Sequence, residues 1–141
     1  MRAFRVKTII DGPCSGEPVF LDQKISFFGE IEPRTGLLTG RSVSIAGKPL
    51  IIPGTRGSTV GPYILYALKE YGKNPVCIIA SEIEPILIIG CIIAEIPLFK
   101  LEDNYLELID YLRKCKKPYI VLDKNKEALI VYEKKRVFDS H

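Results

Sequence analysis

The sequence predicts a layered α/β domain, built from two sheets or from one sheet and a helical layer. Segments with strand character lie at both ends of the chain, and a strand–helix–strand unit lies in the middle. The 141 residues, 47% hydrophobic and 26% charged, suit one packed core and leave no room for two domains of usual size. We therefore predict a single domain over residues 1–141.

The first third of the chain predicts three strands and a loop. Residues 4–10 alternate between two faces, as a strand does, and the sequence Asp-Gly-Pro that follows ends the strand. A second strand is predicted over residues 18–21 and a third over residues 24–28. Residues 29–40 carry three glycines and a proline in twelve positions, which is typical of an ordered, irregular loop.

The middle of the chain alternates between short apolar runs and helical patterns. Residues 50–52 and 76–80 read as buried strands, and the apolar spacing over 63–71 predicts a helix that Gly72 ends. Residues 84–93 are ambiguous between helix and strand. Their length, and Pro85 at a first-turn position, favour a helix.

The last third predicts an extended segment, a helix and a hairpin. Residues 97–101 are expected to be extended, and residues 105–115 form an amphipathic pattern at helical spacing. Residues 119–122 and 128–132 predict a hairpin across a polar turn.

Charge and hydropathy exclude several classes of function. The net charge is +3 and acidic residues interrupt the basic C-terminal region, so the electrostatic case for nucleic-acid binding is weak. The N-terminus alternates charged and apolar residues, unlike a secretory signal, and the longest apolar segment, residues 85–93, is too short to span a membrane. We expect a cytoplasmic protein that binds neither nucleic acid nor membrane.

Four widely spaced cysteines argue against a metal site within this chain. Zinc and iron–sulfur sites usually show Cys-x-x-Cys pairs, and none is present. Cys77 and Cys91 lie in apolar runs and are expected to be small buried hydrophobic residues. Cys14 lies in a predicted loop, where it could be exposed. No role is assigned to any of the four, including Cys115.

Residues 52–63 are the segment most suited to chemistry, because they join a buried strand to a helix. The sequence Ile-Pro-Gly-Thr-Arg-Gly-Ser-Thr-Val-Gly-Pro-Tyr holds three glycines, three serine or threonine hydroxyl groups and one arginine. Helix N-termini at the carboxyl ends of strands commonly bind anions, since free N–H groups and the helix dipole face the ligand there. The sequence matches neither the Walker phosphate loop nor the dinucleotide Gly-x-Gly-x-x-Gly pattern.

Pro62 bears on whether Ser58 merely caps the helix. If Ser58 were the cap, Pro62 would be the fourth helical residue and would lose the first intrahelical hydrogen bond. The cap is therefore expected at Thr59, Val60 or Gly61, which leaves the Ser58 hydroxyl free. On the residues alone, a functional Ser58 and a structural one remain equally open.

Several motifs resemble one known family. The sequence Pro-Gly-Thr-Arg-Gly-Ser-Thr-Val-Gly, the later Glu-Pro-Ile and Gly-Cys-Ile-Ile-Ala, and the earlier Ile-Ser-Phe-Phe-Gly are similar to the aconitase X small subunit or swivel domain. The likeness extends from about residue 12 to residue 132. The sequence Arg-Gly-Ser-Thr-Val-Gly resembles the archaeal type of the family, although Pro62 stands where relatives usually carry a serine.

The resemblance implies a swivelling β/β/α three-layer domain that acts with a large aconitase X subunit. That subunit would hold a four-iron iron–sulfur cluster, and this chain would hold no cofactor or metal. Ser58 would be the proton acceptor in the loss of water from a phosphorylated hydroxy acid, (R)-5-phosphomevalonate. The product would be trans-anhydromevalonate 5-phosphate, in the archaeal mevalonate route to isoprenoids.

The roles of the neighbouring residues are left open between alternatives. N–H groups of Gly57 and Thr59, with Arg56, would stabilise a Ser58 alkoxide or bind substrate. Arg56 could instead hold the substrate carboxylate or phosphate in bidentate fashion, or form only a surface salt bridge. Glu82 and Glu84 could orient a ligand or a partner, or form a solvated loop edge.

Three other functions compete with this hypothesis. A phosphocarrier would need a histidine in a formed site, and the chain's one histidine is its last residue, His141. A non-catalytic anion-binding module would use the same loop without an iron-bearing partner. The third alternative keeps the enzyme class but changes the substrate, because bacterial members of the family include cis-3-hydroxy-L-proline dehydratases.

Overall fold

The computed structural model describes residues 1–57 and 61–133. Within them an eight-stranded sheet has the order β2-β7-β8-β1-β6-β5-β4-β3. The strands are β1 (Arg2–Ile10), β2 (Ser15–Gly16), β3 (Val19–Phe20), β4 (Pro49–Ile52), β5 (Cys77–Ala80), β6 (Leu98–Leu101), β7 (Pro118–Asp123) and β8 (Ala128–Glu133). The helices are α1 (Phe27–Glu30), α2 (Gly61–Glu70), α3 (Pro85–Ala94) and α4 (Tyr105–Lys114).

The sheet has a parallel half and an antiparallel half. Strands β3 to β6 pair in parallel, with α2 connecting β4 to β5 and α3 connecting β5 to β6. Strands β1, β8, β7 and β2 pair antiparallel, and β1 joins the halves through its antiparallel pairing with β6. Successive side chains of a strand point to opposite faces of the sheet, so each parallel strand contributes side chains to both faces.

Two hydrophobic clusters separate three layers. In β5, Ile78 and Ala80 pack in the cluster that α2 and α3 cover, whereas Cys77 and Ile79 pack in the other. The second cluster also contains Phe4 of β1 and Leu108 of α4, so the curled antiparallel half lies against the parallel half. The β/β/α layering implied by the family resemblance is confirmed.

The ends of the helices follow from their sequences. Asn104 caps α4, accepting a hydrogen bond from the Glu107 N–H at 3.1 Å, and Pro85 opens α3, as predicted. Gly72 follows α2 with a φ of +68°, which ends the helix as the sequence indicated. The segment over residues 84–93 is therefore a helix. Among the described residues, no helix is long and apolar enough to cross a membrane.

One prediction about the first third of the chain is wrong. Residues 24–28 were expected to form a strand, but only Ile25 pairs, in a single parallel bridge to Thr55. The chain then turns through α1, where Phe28 has extended backbone angles and Gly29 has a φ of +89°. The exposure of Cys14 was left open, and the structure shows that it is 5% exposed and bonded to Cys77, with 5.4 Å between their Cα atoms.

Candidate active site

The predicted loop is held against residues 24–26 at the carboxyl end of β4. The Ile25 N–H donates to the Gly54 carbonyl at 3.2 Å, and the Arg56 N–H donates to the Ile25 carbonyl at 3.0 Å. This ladder continues the parallel edge of the sheet for one more residue pair after β4 ends. The loop backbone up to Arg56 is therefore fixed by main-chain hydrogen bonds.

The Arg56 guanidinium lies between two acceptors. Its Nη2 is 3.1 Å from Oε2 of Glu30, and its Nε donates to the Lys24 carbonyl at 3.4 Å. Within the described part of the chain, its remaining N–H groups have no hydrogen-bond partner. The salt bridge that was one of the alternatives for Arg56 is thus present, and the guanidinium keeps donors for a ligand.

Gly57 follows Arg56 with a φ of +98°. A side chain at this position would be strained by that backbone angle, although the space itself is open enough: an added Cβ would lie 3.4 Å from Oγ of Ser26. Ser58 and Thr59, the predicted proton acceptor and its neighbour, lie outside the described residues. Their roles remain predictions.

A pocket lies next to Arg56 and Gly57. Its described lining comes from the segment before α1, the loop after β4, and the starts of α2 and α3: Ser26, Phe27, Thr55, Arg56, Gly57, Gly61, Leu65, Glu84, Ile86 and Leu87. First-turn residues of two ten-residue helices line the same pocket, so both helix dipoles favour negative charge there. Arg56 and the two helix N-termini thus favour an anionic ligand in the pocket, against the opposing charge of the Glu84 carboxylate.

The two acidic residues named from the sequence have different positions. Glu82 pairs with Lys24, with 2.6 Å between Nζ and Oε2, and both side chains are largely exposed. A hydrogen bond with Glu82 and its negative charge raise the pKa of Lys24. Glu84 lines the pocket at the N-cap of α3. Glu82 therefore belongs to the loop edge, and Glu84 to the site.

Two residues at this site were not singled out from the sequence. Ser26 lines the pocket, and Glu30 accepts hydrogen bonds from both the Ser26 N–H and Arg56. Ser26 belongs to the Ile-Ser-Phe-Phe-Gly motif, which was a usable signal. Glu30 follows that motif directly, but nothing in the pattern connects it to Arg56, 26 residues away.

The cysteines do not fit an iron–sulfur cluster. Cys14 and Cys77 are bonded to each other, and burial raises the pKa of the Cys91 thiol to about 12. Cys115 lies at the end of α4. Over residues 1–57 and 61–133, no group of three or more His, Cys, Asp or Glu side chains could hold a metal ion. A cluster would need ligands from another chain.

Comparison with known proteins decides the family. The profile described as the aconitase X swivel domain matches residues 3–130, nearly the whole chain. The chain belongs to the aconitase X swivel-domain family.

Two curated relatives of this swivel domain carry the same name. The proteins named phosphomevalonate dehydratase small subunit from Aeropyrum pernix and Methanosarcina acetivorans are each 44% identical to it, over 96 and 97 residues. The alignments cover 68% and 65% of this chain, and 71% and 67% of the relatives. A small subunit implies a larger partner, so these relatives are components of dehydratase complexes.

Two solved structures share the fold of this swivel domain. The crystal structure of Thermococcus kodakaraensis aconitase X in its holo-form matches with a TM-score of 0.78 and 31% identity, covering 94% of this chain and 100% of that chain. A structure determined by NMR in solution matches with a TM-score of 0.76, 30% identity and the same coverage.

Proposed function

We propose that this chain is the small subunit of a heteromeric hydro-lyase that removes water from (R)-5-phosphomevalonate, giving trans-anhydromevalonate 5-phosphate. The observation that carries the proposal is its 44% identity to proteins named phosphomevalonate dehydratase small subunit. The enzyme would be active only with a large aconitase X subunit, and the complex would work in the cytoplasm. The iron–sulfur cluster implied by the family would belong to that subunit, because the cysteines described here do not form a cluster site.

The proposed role of Ser58 is to accept the proton that leaves the carbon next to the substrate carboxylate. A serine hydroxyl is a weak base unless the alkoxide is stabilised. The N–H groups of Gly57 and Thr59 are proposed to provide that stabilisation, together with the positive end of α2. The positive φ of Gly57 supports this proposal, since the backbone there adopts a conformation common in anion-binding turns.

The proposed role of Arg56 is to bind the carboxylate or the phosphate of the substrate. The guanidinium is 60% exposed beside the pocket, and only its Nε and Nη2 have described partners. Two adjacent N–H groups suffice for bidentate binding of an anion. Arg56 and the starts of α2 and α3 would together offset the two negative groups of phosphomevalonate.

The test is an activity assay on the complex reconstituted under anaerobic conditions with its large subunit. Wild type should dehydrate phosphomevalonate, and Ser58→Ala should lower kcat by at least about a hundredfold, the usual contribution of a general base. Ser42→Ala is the control, because Ser42 is exposed and does not line the pocket. Full activity of Ser58→Ala would exclude Ser58 as the base.

Assays on the same preparation distinguish the other candidate functions. Activity on cis-3-hydroxy-L-proline alone would change the substrate assignment. Binding of phosphomevalonate by the isolated chain, with no turnover by the complex, would instead favour a non-catalytic anion-binding module. Calorimetry on the isolated chain measures that binding directly.

A further inference from the structure

Glu30 is held by hydrogen bonds on its side chain and on its backbone. Its Oε2 accepts from the Ser26 N–H and from Nη2 of Arg56, the latter at 3.1 Å. The Glu30 carbonyl accepts from the Thr39 N–H at 2.9 Å, and the Gly29 carbonyl accepts from the Thr39 hydroxyl at 3.0 Å. The carboxylate is therefore presented to Arg56 from a fixed support.

The guanidinium of Arg56 is hydrogen-bonded at two of its edges. Its Nε donates to the Lys24 carbonyl while its Nη2 donates to Glu30, and its own backbone N–H donates to Ile25. These contacts hold the guanidinium beside the pocket. An arginine without them would sample several rotamers, and ordering it on ligand binding would cost affinity.

We propose that Glu30 is a positioning residue, which orders the Arg56 guanidinium so that its remaining N–H groups bind the anionic group of the substrate. The expected kinetic effect rests on the proposed function, because it requires the active complex. The ordering of Arg56 by Glu30 is a property of this chain alone. The two statements can therefore be tested separately.

A stabilising surface salt bridge is a poorer explanation of the Glu30–Arg56 pair. Its side chains are 40% and 60% exposed, and ion pairs that exposed contribute little to folding. The Lys24–Glu82 pair beside the site is similarly exposed, and its contact with Arg56 is through the main-chain carbonyl of Lys24, not through either charged side chain. Replacing Glu82 is accordingly a matched control for the loss of an ion pair near the site.

The first measurement is NMR relaxation of the Arg56 Nε–H group in the full-length chain. Glu30→Ala should lower its order parameter, and Glu82→Ala should leave it unchanged. An Arg56 group equally ordered in wild type and Glu30→Ala would overturn the proposal. This holds whether or not the complex dehydrates phosphomevalonate.

The second measurement is the kinetics of the reconstituted complex. Glu30→Ala should lower kcat/KM about tenfold, mainly through KM, because a misoriented binding group costs affinity. Glu30→Gln, which keeps an acceptor oxygen, should recover most of that loss. Removing a carboxylate that merely repels the substrate would instead raise kcat/KM in both variants, and that result would contradict the proposal.

A double-mutant cycle tests whether Glu30 acts through Arg56. Glu30→Ala should cause no further loss of kcat/KM in an Arg56→Ala background, whereas independent effects would multiply. A full additional loss would overturn the proposal. Large-subunit affinity, measured for each variant, should match wild type. Glu30→Ala also removes the acceptor of the Ser26 N–H, so its melting temperature is compared with that of Glu30→Gln, which keeps an acceptor, and the kinetics are measured well below both melting temperatures. If the wild-type complex is inactive on phosphomevalonate, the proposed function fails, and the NMR result alone decides the role of Glu30.

Discussion

At the scale of single residues, Asp103 shows how the backbone sets a carboxylate's charge state. Its Oδ2 accepts from the Arg5 N–H at 2.7 Å, and its Oδ1 accepts from the Arg5 side chain at 2.9 Å. The backbone hydrogen bond is the main reason that the pKa of Asp103 lies below its ordinary value of 3.8. The unfolded chain then binds this proton at a higher pH than the folded chain does, so folding favours the ionised form.

We predict that Asp103→Asn destabilises the domain at neutral pH by about 1 kcal/mol, because the amide keeps one acceptor oxygen for the Arg5 N–H but loses the charge and the second acceptor, which binds the Arg5 side chain. The stabilisation is present above pH 3.8 and is lost as the pH falls through the lower, folded-state pKa. The difference between variant and wild type should therefore shrink in acid. Urea unfolding at pH 7 and below pH 3 measures it.

Asp110→Asn is the matched control for this prediction, since Asp110 is exposed on α4. Its stability should follow wild type at both pH values. A constant difference between Asp103→Asn and wild type across the pH range would contradict the proposed cause.

At the scale of elements, α2 and α3 are joined by a close approach at Gly90. A Cβ added there would lie 2.7 Å from Cδ1 of Leu65 and 3.3 Å from Cα of Pro62. Leu65 is 1% exposed and cannot move aside easily, and Pro62 contributes backbone. The start of α2, which lines the pocket, therefore takes its position partly from a glycine of α3.

We predict that Gly90→Ala destabilises the domain by about 1 to 3 kcal/mol of overpacking, partly offset by the better helix propensity of alanine. Thermal unfolding measures the net loss. Ile92→Ala is the control on the same helix, because Ile92 is 60% exposed and its truncation leaves no cavity. Equal melting temperatures for Gly90→Ala and wild type would contradict the prediction, because they would mean that α2 and α3 can move apart without loss of stability.

Elements were predictable where periodicity alone decides them. The helix over 105–115 follows from one apolar face, and Leu108, Ile109 and Leu112 are all buried. Residues 24–28 alternate as a strand does, with Ile25 and Phe27 buried. In the structure these residues run beside the loop after β4 and then turn at Gly29, and this path buries the same alternate side chains. The alternation therefore could not distinguish a strand from this path.

At the scale of the whole molecule, the disulfide joins distant parts of the second hydrophobic cluster. Cys14 follows β1 and Cys77 opens β5, and the two cysteines are 63 positions apart in sequence. Such a bond stabilises mainly by restricting the unfolded chain, by about 4 kcal/mol for a loop of this length. Disulfides are uncommon inside most cells, apart from those of hyperthermophiles. The oxidation state of Cys14 and Cys77 in the purified protein should therefore be measured directly.

We predict that reduction lowers the free energy of unfolding by up to about 4 kcal/mol. Urea unfolding with and without a phosphine reductant measures the change, and mass spectrometry confirms the thiol state. Cys14→Ala should be less stable than wild type and insensitive to reductant, whereas Cys115→Ala should keep the wild-type sensitivity. Equal stability of the oxidised and reduced wild type would contradict the prediction.

The sequence by itself determined most strands and helices, the loop after β4 and the family resemblance. These are local properties, because apolar periodicity, glycine and proline positions and short motifs are all read within a few residues. Only the tertiary structure decided that Glu30 contacts Arg56, that Cys14 is buried against Cys77, and that Gly90 packs on α2. Each contact joins segments far apart in the chain. Whether such segments meet depends on how the sheet curls and the helices cross, which local patterns do not specify.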